Sequence, residues 1–323
     1  MKAIRYYRYG SADVLQAQDV DEPGVGDNDL LIRVRAVSLN ALDLHHLSGL
    51  PYIVRTQTGL TRPKAHGLGL DMAGTVEAVG RRVSSFQPGD EVFGSDSQML
   101  AEYVCIGEDK PVVHKPPRLT FEQAAAVPVA ALTALQALRD KGQVRRGHRV
   151  LVNGASGGVG LFAVQIAKAL GAEVTGVCST TNMDMVMSVG ADHVIDYTKT
   201  DFTRSGQRFD LLIDVAGSRT LAECRSALEP TGVLVGIGSQ SKGRWLGPMS
   251  RPLRMLMVAP VARQKMTFFI ADLSRDDLLV LCGLLDSGKV TPVIDRIYPI
   301  ADVAEAIRYL ETGHARAKVV LTI

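Results

Sequence analysis

The sequence predicts an α/β protein in two parts, a β-rich opening third followed by a doubly wound parallel sheet. Three observations carry this. Residues up to about 120 form short, partly alternating β-branched runs broken by Gly and Pro, as in Glu22-Pro23-Gly24 and Gln87-Pro88-Gly89-Asp90. From Thr120 onward, strand-like and helix-like segments alternate, the pattern of a parallel sheet covered by helices on both faces. A glycine-rich turn, Asn153-Gly154-Ala155-Ser156-Gly157-Gly158-Val159-Gly160, lies between one such strand and the next helix. At 323 residues and roughly 100–200 residues per domain, two domains are expected.

In the first part the strands are Leu30 to Leu39, Gly74 to Gly80, Asp90 to Gly94 and Glu102 to Ile106. Short strands with such turns suggest a compact antiparallel barrel or sandwich. Thr120 and Gln123 form a capping box that opens a long Ala/Leu-rich helix ending near Gly142. Arg149 to Asn153 reads as a strand, Val159 to Leu170 as a helix stopped by Gly171, and Glu173 to Ser179 as a strand. A short helix stopped by Gly190 follows. His193 to Tyr197, Phe209 to Val215, Gly232 to Gly238 and Met266 to Ala271 are further strands. Asp302 to Thr312 is a helix, and Lys318 to Ile323 a last strand.

Composition excludes several classes. Lys plus Arg number 36 against 34 for Asp plus Glu, which predicts no special attraction to nucleic acid or anionic membrane. No apolar run reaches the ~18 residues of a membrane span. The opening Met1-Lys2-Ala3-Ile4-Arg5 lacks a signal peptide's apolar stretch, so a cytoplasmic location is expected. Cys105, Cys178, Cys224 and Cys282 lie far apart and form no Cys-x-x-Cys pair, the pattern of reduced thiols. Ser239 to Lys265 is basic and contains no acid. A solvated connection beside an anionic cofactor explains it most simply, with a membrane-surface or lid helix as the alternative.

The glycine turn has the chemistry of a dinucleotide site. Glycines let the backbone turn tightly and approach a pyrophosphate, while the helix N-terminus offers unbonded N–H groups and a positive dipole end. With the second strand, these elements make a Rossmann unit. Units that prefer NAD usually place Asp or Glu at the end of that strand to bind the ribose 2′-hydroxyl. This chain reads Val177-Cys178-Ser179-Thr180-Thr181 instead. No acid there repels a 2′-phosphate, yet no Lys or Arg follows before Lys199. NADP is the expected cofactor, with NAD left open.

Motifs along the whole chain carry a resemblance. They are Met1-Lys2-Ala3-Ile4, Asn40-Ala41-Leu42-Asp43, Gly69-Leu70-Asp71-Met72-Ala73-Gly74-Thr75-Val76 and Pro88-Gly89-Asp90-Glu91-Val92. Ala126-Val127-Pro128 with Thr133, the loop Gly154 to Gly160, Gly190-Ala191-Asp192 with Asp196-Tyr197, and Gly313 to Val320 continue it. The chain resembles the medium-chain dehydrogenase/reductase superfamily, and within it the zinc-free quinone oxidoreductase branch, the relatives of zeta-crystallin. The resemblance implies a GroES-like catalytic domain of residues 1–122 and 272–323 around a Rossmann domain of residues 123–271. It also implies a homodimer. Zinc-containing relatives carry Cys at Asn40 and His-Glu at Leu70-Asp71. Leucine cannot ligate zinc and an amide replaces a thiolate poorly, so no metal is expected. His45 and His46 point ~100° apart on a helix and do not both face one ion. His66 reads as a loop residue, and His45 at most touches the nicotinamide ribose.

Without a Lewis acid, alcohol oxidation needs another base and another alkoxide stabiliser. Reduction of a quinone or an activated C=C asks for less, and the resemblance implies that reaction. Asn40 is the expected polar donor beside the nicotinamide, with turn capping as its alternative. Tyr52 is the expected hydroxyl at the substrate mouth, with packing as its alternative, and Asp43 orders the site. The basic insertion Pro51 to His66 is expected to rim the substrate cleft. For the cofactor, the resemblance implies Thr133 near the nicotinamide or phosphate. Gly154, Ser156, Gly157, Gly158 and Val159 would lie under the pyrophosphate, Ser179 and Thr180 at the ribose phosphate and Tyr197 on the adenine side. Ala216, Gly236 and Ile237 would line the nicotinamide, and Arg316 or Lys318 would reach a phosphate. Two other functions stay open, an enoyl-thioester reductase and a non-enzymatic zeta-crystallin-like binding protein.

Overall fold

A computed structural model describes residues 1–238, 253–255, 257 and 263–323, and the chain divides into two compact units. The basic segment from Ser239 to Lys265 lies mostly outside the described residues. One unit comprises Met1–Leu132, Leu273–Asp286 and Pro292–Ile323, and the other Thr133–Asp272 with Ser287–Thr291. The division falls after Leu132 rather than after residue 122, and Ser287–Thr291 join the second unit.

The first unit opens with β1 (Lys2–Arg5), β2 (Gln16–Asp19) and β3 (Asp29–Leu39). α1 (Ala41–Ser48), α2 (Arg55–Thr58), β4 (Asp71–Val79), β5 (Glu91–Ser95), β6 (Tyr103–Gly107), β7 (Val112–His114) and α3 (Phe121–Ala125) follow. α4 (Pro128–Gln136) carries the chain into the second unit. There β8 (Arg149–Asn153), α5 (Gly158–Ala169), β9 (Glu173–Cys178), α6 (Met183–Ser188), β10 (His193–Asp196), β11 (Phe209–Asp214), α7 (Leu221–Ser226), β12 (Leu228–Gly236) and β13 (Lys265–Phe268) alternate as expected. α8 (Arg275–Asp286), β14 (Ile294–Pro299), α9 (Val303–Glu311) and β15 (Lys318–Thr322) return to the first unit.

The first unit is organised by β3. Ile32, Val34 and Ala36 are buried while Arg33 and Arg35 are exposed, the period-2 alternation of a half-buried strand. From Ala36 to Leu39 every residue is buried, so both faces of this end of β3 are covered. The sheet order is β14-β15-β3-β4-β5-β7, with β6 also paired to β3. β15 runs antiparallel to β3, with Val319 opposite Leu39, and this brings the far C-terminal end of the chain to the residue that begins α1.

The second unit is a six-stranded parallel sheet of order β10-β9-β8-β11-β12-β13. β8 is fully apolar apart from its ends, with Val150, Leu151 and Val152 at 0% exposure, as a strand covered on both faces must be. Around Gly142 the structure corrects the expected long helix. Thr120 caps α3, with its side chain accepting from the Gln123 N–H at 3.2 Å, but the helix breaks before Pro128. Proline lacks an N–H and restricts the residue before it, so it starts a new helix at α4 rather than continuing the old one. The last turn, Ala137–Lys141, widens to a π-helix closed by Gly142 N–H on the Ala137 carbonyl at 2.8 Å.

The strand-to-helix turn after β8 depends on two glycines. Gly154 has φ +88°, a left-handed conformation that other residues adopt at a cost. A Cβ at Gly160 would stand 2.1 Å from the Gly154 carbonyl oxygen, which is backbone and cannot move aside. Gly160→Ala should therefore destabilise the protein by about 1–3 kcal/mol, read as a lower thermal midpoint in a melting experiment. An unchanged midpoint would show that the turn is looser than its packing indicates.

Candidate active site

In the second unit, the loops that the sequence singled out meet at one edge. β8, β9, β10, β11 and β12 end at Asn153, Cys178, Asp196, Asp214 and Gly236, and in the pairing register Asp214 stands opposite both Asn153 and Gly236. Gly154, Ser156, Gly157, Ser179, Thr180, Tyr197, Ala216 and Ile237 all follow these ends directly. The order reverses at β8 and β11, since β9 and β10 lie to one side and β12 and β13 to the other. Open parallel sheets bind ligands at such a switch point, outside the carboxyl ends of their strands.

Hydrogen bonds fix this edge. Gly154 and Ala155 donate their N–H groups to the Val177 carbonyl at 3.1 and 3.0 Å, which ties the glycine turn to the end of β9. α5 starts with Gly157 as its N-cap residue, so its first N–H groups have no partner within the helix. Buried Asn153 donates to Asp214 at 2.8 Å, and Asp214 also accepts from the Gly217 N–H at 2.9 Å. This pair clamps the switch point. On the β9 side, the Asn182 amide nitrogen reaches the Ser156 and Ser179 hydroxyls at 3.2 and 3.1 Å. Its Oδ1 is buried and without a partner. An orphaned acceptor beside a ring of hydroxyls, next to a glycine cradle, suits a dinucleotide's hydroxyl and phosphate groups.

Thr180 departs from its expected role. Its hydroxyl donates to the Asp196 carboxylate, so its proton is spent within the protein. Hydrogen bonds from Thr180 and from Thr198 hold Asp196 down at about 2, a stable anion at neutral pH. An acid absent from β9 is thus brought in by the neighbouring β10, and Lys199 lies 3.6 Å from it as counter-charge.

The polar centre of the first unit lies where β3, α1, β4 and β15 meet. Asn40 occupies the N-cap position of α1. Its side chain also reaches beyond the helix: Oδ1 accepts from the Lys318 ammonium at 2.6 Å, and Nδ2 donates to Asp71 Oδ2 at 2.9 Å. Asp43 supplies the other half of the capping box, accepting the Asn40 N–H at 2.7 Å, and also accepts the Gly69 N–H at 3.2 Å. Asp71 Oδ1 accepts the Val129 N–H at the start of α4 at 3.1 Å. Asp43 and Asp71 are both 0% exposed and Lys318 is 4% exposed.

Lys318 is therefore corrected. It was expected to reach a phosphate, but its ammonium is committed to the Leu39 carbonyl at 3.1 Å, to Asn40, and to Asp71 at 3.7 Å. Arg316 belongs to the same unit and bonds through its backbone N–H to Asp295 at 2.9 Å. Thr133 is 8% exposed on α4. The ring of Tyr52 packs against the Arg55 guanidinium, which also covers Tyr9 (4.8 and 4.4 Å to the ring centroids). This stack pins the Pro51 to His66 insertion. His45 bonds through Nδ1 to the Leu50 carbonyl at 2.8 Å. His46, which the sequence gave no part, borders a cavity of about 260 Å³ with Tyr6, Lys64, Leu68, Leu70 and Gln98. Burial and the nearby His45 push the His46 imidazole down, so the rim carries one fixed charge, that of Lys64.

Comparison with known proteins follows from this geometry. Residues 26–117 match the family described as alcohol dehydrogenase GroES-like domain, and residues 189–321 that described as zinc-binding dehydrogenase. The mouse protein "NAD(P)H oxidoreductase RTN4IP1, mitochondrial" is 34% identical across 98% of this chain and 87% of its own length. The chain belongs to the medium-chain dehydrogenase/reductase superfamily, in its quinone oxidoreductase branch. The tomato (Solanum lycopersicum) "2-methylene-furan-3-one reductase" is 34% identical across 99% of this chain and 79% of the relative. Among solved structures, the quinone oxidoreductase from Coxiella burnetii superposes with a TM-score of 0.87 at 30% identity, covering 100% and 99% of the two chains. The Escherichia coli quinone oxidoreductase complexed with NADPH gives 0.84 at 25% identity, with both chains fully covered (100%). The superfamily's GroES-like and Rossmann parts correspond to the first and second units.

One of the two family descriptions names zinc, and the residues here do not fit it. The would-be donors are an amide at Asn40 and an alkyl chain at Leu70. The Lys318 ammonium already stands 2.6 Å from the Asn40 oxygen and 3.7 Å from Asp71, and a divalent cation beside it would be repelled. Among the described residues, no three His, Cys, Asp or Glu side chains form a metal-binding group.

Asp43 gives this centre a pH signature. Burial pushes its carboxyl up to about 7 from the ordinary 3.8, against the pull of the Asn40 and Gly69 N–H groups. The folded protein thus holds a proton that the unfolded chain releases near its ordinary value. Stability from this group is complete below that value and is lost as pH rises toward about 7. Urea denaturation of wild type and Asp43→Asn at successive pH values should show the wild type losing ground to the variant across that window. A difference independent of pH would contradict the assignment.

Proposed function

We propose that this chain is an NADPH-preferring, zinc-independent reductase that delivers hydride to a quinone or to the β-carbon of an enone or enal. The observation that carries the reading is the combination of an intact dinucleotide edge with a catalytic unit whose polar centre is an oriented amide rather than a metal donor set. The names of the relatives, among them quinone oxidoreductases and an enone reductase, agree with it.

When bound, a reduced nicotinamide supplies the hydride. The chain's own residues do the rest. N–H groups of Gly157, Gly158 and Val159, at the start of α5, bind the pyrophosphate. Ser156, Ser179 and Asn182 hold the ribose end, and Ala216, Gly236 and Ile237 line the nicotinamide. Asn40 donates a hydrogen bond to the substrate oxygen as negative charge develops there, and a water or hydroxyl returns the proton. Tyr52 stays at the substrate mouth on this reading, fixed by Arg55. The cavity bordered by His46, Lys64 and Leu70 admits a compact acceptor. Homodimeric assembly and a cytoplasmic location belong to the same proposal, and sedimentation and cell fractionation test them.

Purified protein in chelator should reduce quinones and conjugated ketones and leave saturated primary alcohols unoxidised. Loss of activity together with about one zinc per chain would overturn the metal-free reading. Turnover of crotonyl thioesters above that of simple enones would favour the enoyl-thioester reading, which the likeness to the CurK enoyl reductase supports at a TM-score of 0.85 and 26% identity.

Cofactor preference follows from the ribose pocket. With Thr180 spent on Asp196, and no cation at Thr181, a 2′-phosphate lacks a charge-assisted hydrogen bond of about 1.5–3 kcal/mol. The end of β9 itself carries no acid, and Asp196 is occupied by Thr180, Thr198 and Lys199, so a modest NADPH preference is expected. Thr181→Arg should sharpen it by about tenfold or more, and Ser179→Asp should reverse it, as kcat/KM ratios for NADPH and NADH. A wild type that prefers NADH and is unmoved by Ser179→Asp would place the pocket elsewhere.

A further inference from the structure

The first unit buries a lysine to which the reaction outlined above assigns no step. We propose that Lys318 is a positioning residue: together with Asp71, its ammonium fixes the Asn40 amide in the one orientation that leaves a single N–H for the substrate's oxyanion. The inference rests on the proposed role of Asn40 as that donor.

A primary amide between two polar partners normally has two orientations that differ by a flip of oxygen and nitrogen. Here the partners remove the ambiguity. An ammonium only donates, so it selects Oδ1, which it meets at 2.6 Å. A carboxylate only accepts, so it selects Nδ2, which it meets at 2.9 Å. Neither partner is free to wander. Lys318 is anchored by the Leu39 carbonyl at 3.1 Å, and Asp71 by the Val129 N–H at 3.1 Å. Asp71 uses one of the two amide hydrogens, and the second is left for a ligand. The ammonium also draws electron density from the amide oxygen, which makes that N–H a better donor.

Packing alone gives no reason for a charge at this place. The next three residues of β15, Val319, Val320 and Leu321, are all at 1% exposure or less, and an apolar side chain would extend that run. Buried ion pairs are often replaced by hydrophobic residues without loss of stability. Burial and the opposing pull of Asp71 and Asp43 act on the lysine in contrary directions, with burial the larger, so that its pKa is lowered. The site thus bears a destabilised charge that serves to orient its neighbour.

The test is a set of variants assayed with NADPH and 1,4-naphthoquinone, with the NADPH Kd as the check that the protein is folded. Asn40→Ala should lower kcat by about a hundredfold, the cost of losing one oxyanion donor. The paired variant Lys318→Met/Asp71→Asn removes both charges, so that neither is left buried alone. It should lower kcat by at least about tenfold with the NADPH Kd within about twofold of wild type. Added to Asn40→Ala, the pair should cost less than about twofold more, since it acts only through the amide. If the pair leaves kcat at wild-type level, or if the losses multiply, Lys318 does not work through Asn40 and the proposal fails. If Asn40→Ala itself keeps kcat, the donor reading fails first and takes the proposal with it. Should the paired variant not fold, Lys318→Gln replaces it, since its amide can still donate to Oδ1. Its kcat should fall between wild type and Asn40→Ala, and a kcat below that of Asn40→Ala would overturn the proposal.

Discussion

The first unit depends on keeping three ionisable groups out of water at one point. Asp43 and Asp71 are fully buried and Lys318 nearly so, and breaking a buried charge cluster by removing one member typically costs about 3–5 kcal/mol. The cluster is assembled from remote parts of the chain, namely the turn after β3, the first residue of β4, the start of α4 through Val129, and the first residue of β15. For the ammonium to find its partners, β15 must pair with β3 in the register that sets Val319 opposite Leu39. A slip by one residue would turn the lysine to the other face of the sheet. The chemistry of the site and the topology of the sheet are therefore one constraint.

In the second unit the corresponding constraint is backbone. The turn after β8 must bring Gly154 and Ala155 within reach of the Val177 carbonyl while α5 starts close beside it. Only a residue without a Cβ tolerates the position of Gly160 against Gly154. Asn153 and Asp214 then hold the ends of β8 and β11 together by a buried hydrogen bond of 2.8 Å, which keeps the crevice at the switch point of fixed width.

Local periodicity made most of this legible. β8 and the body of α5, with the strands around them, are readable because an apolar run between turn residues and an apolar helix ending at glycine have few other solutions. The sequence also shows that Asn40 and Leu70 suit zinc poorly, since that is a statement about single residues. α8 was missed although Leu278, Leu281 and Leu285 are buried at helical spacing, because the charged Arg275-Asp276-Asp277 start obscured the pattern. The partner of Lys318 was not legible at all. It lies 278 positions away, and nothing in a sequence of Lys-Val-Val-Leu says whether the lysine points to solvent or to an amide across the sheet. Asp196 escaped for the same reason: the end of β9 carries no acid, while parallel pairing of Asp196 with Cys178 brings one beside it from β10.

These two misses have a common physical cause. In both, a charge is placed by strand register and then stabilised by hydroxyl or amide contacts, so it acts on residues far along the chain from where it is encoded. Beside the end of β9, Asp196 accepts the hydrogen bond of the Thr180 hydroxyl and thereby occupies a donor that the strand end alone would provide. At the polar centre of the first unit the influence runs the other way, because the Lys318 ammonium donates to the oxygen of Asn40 and strengthens the amide as a donor. On the proposed reading, a substrate oxyanion then meets positive potential conducted through one polarised amide.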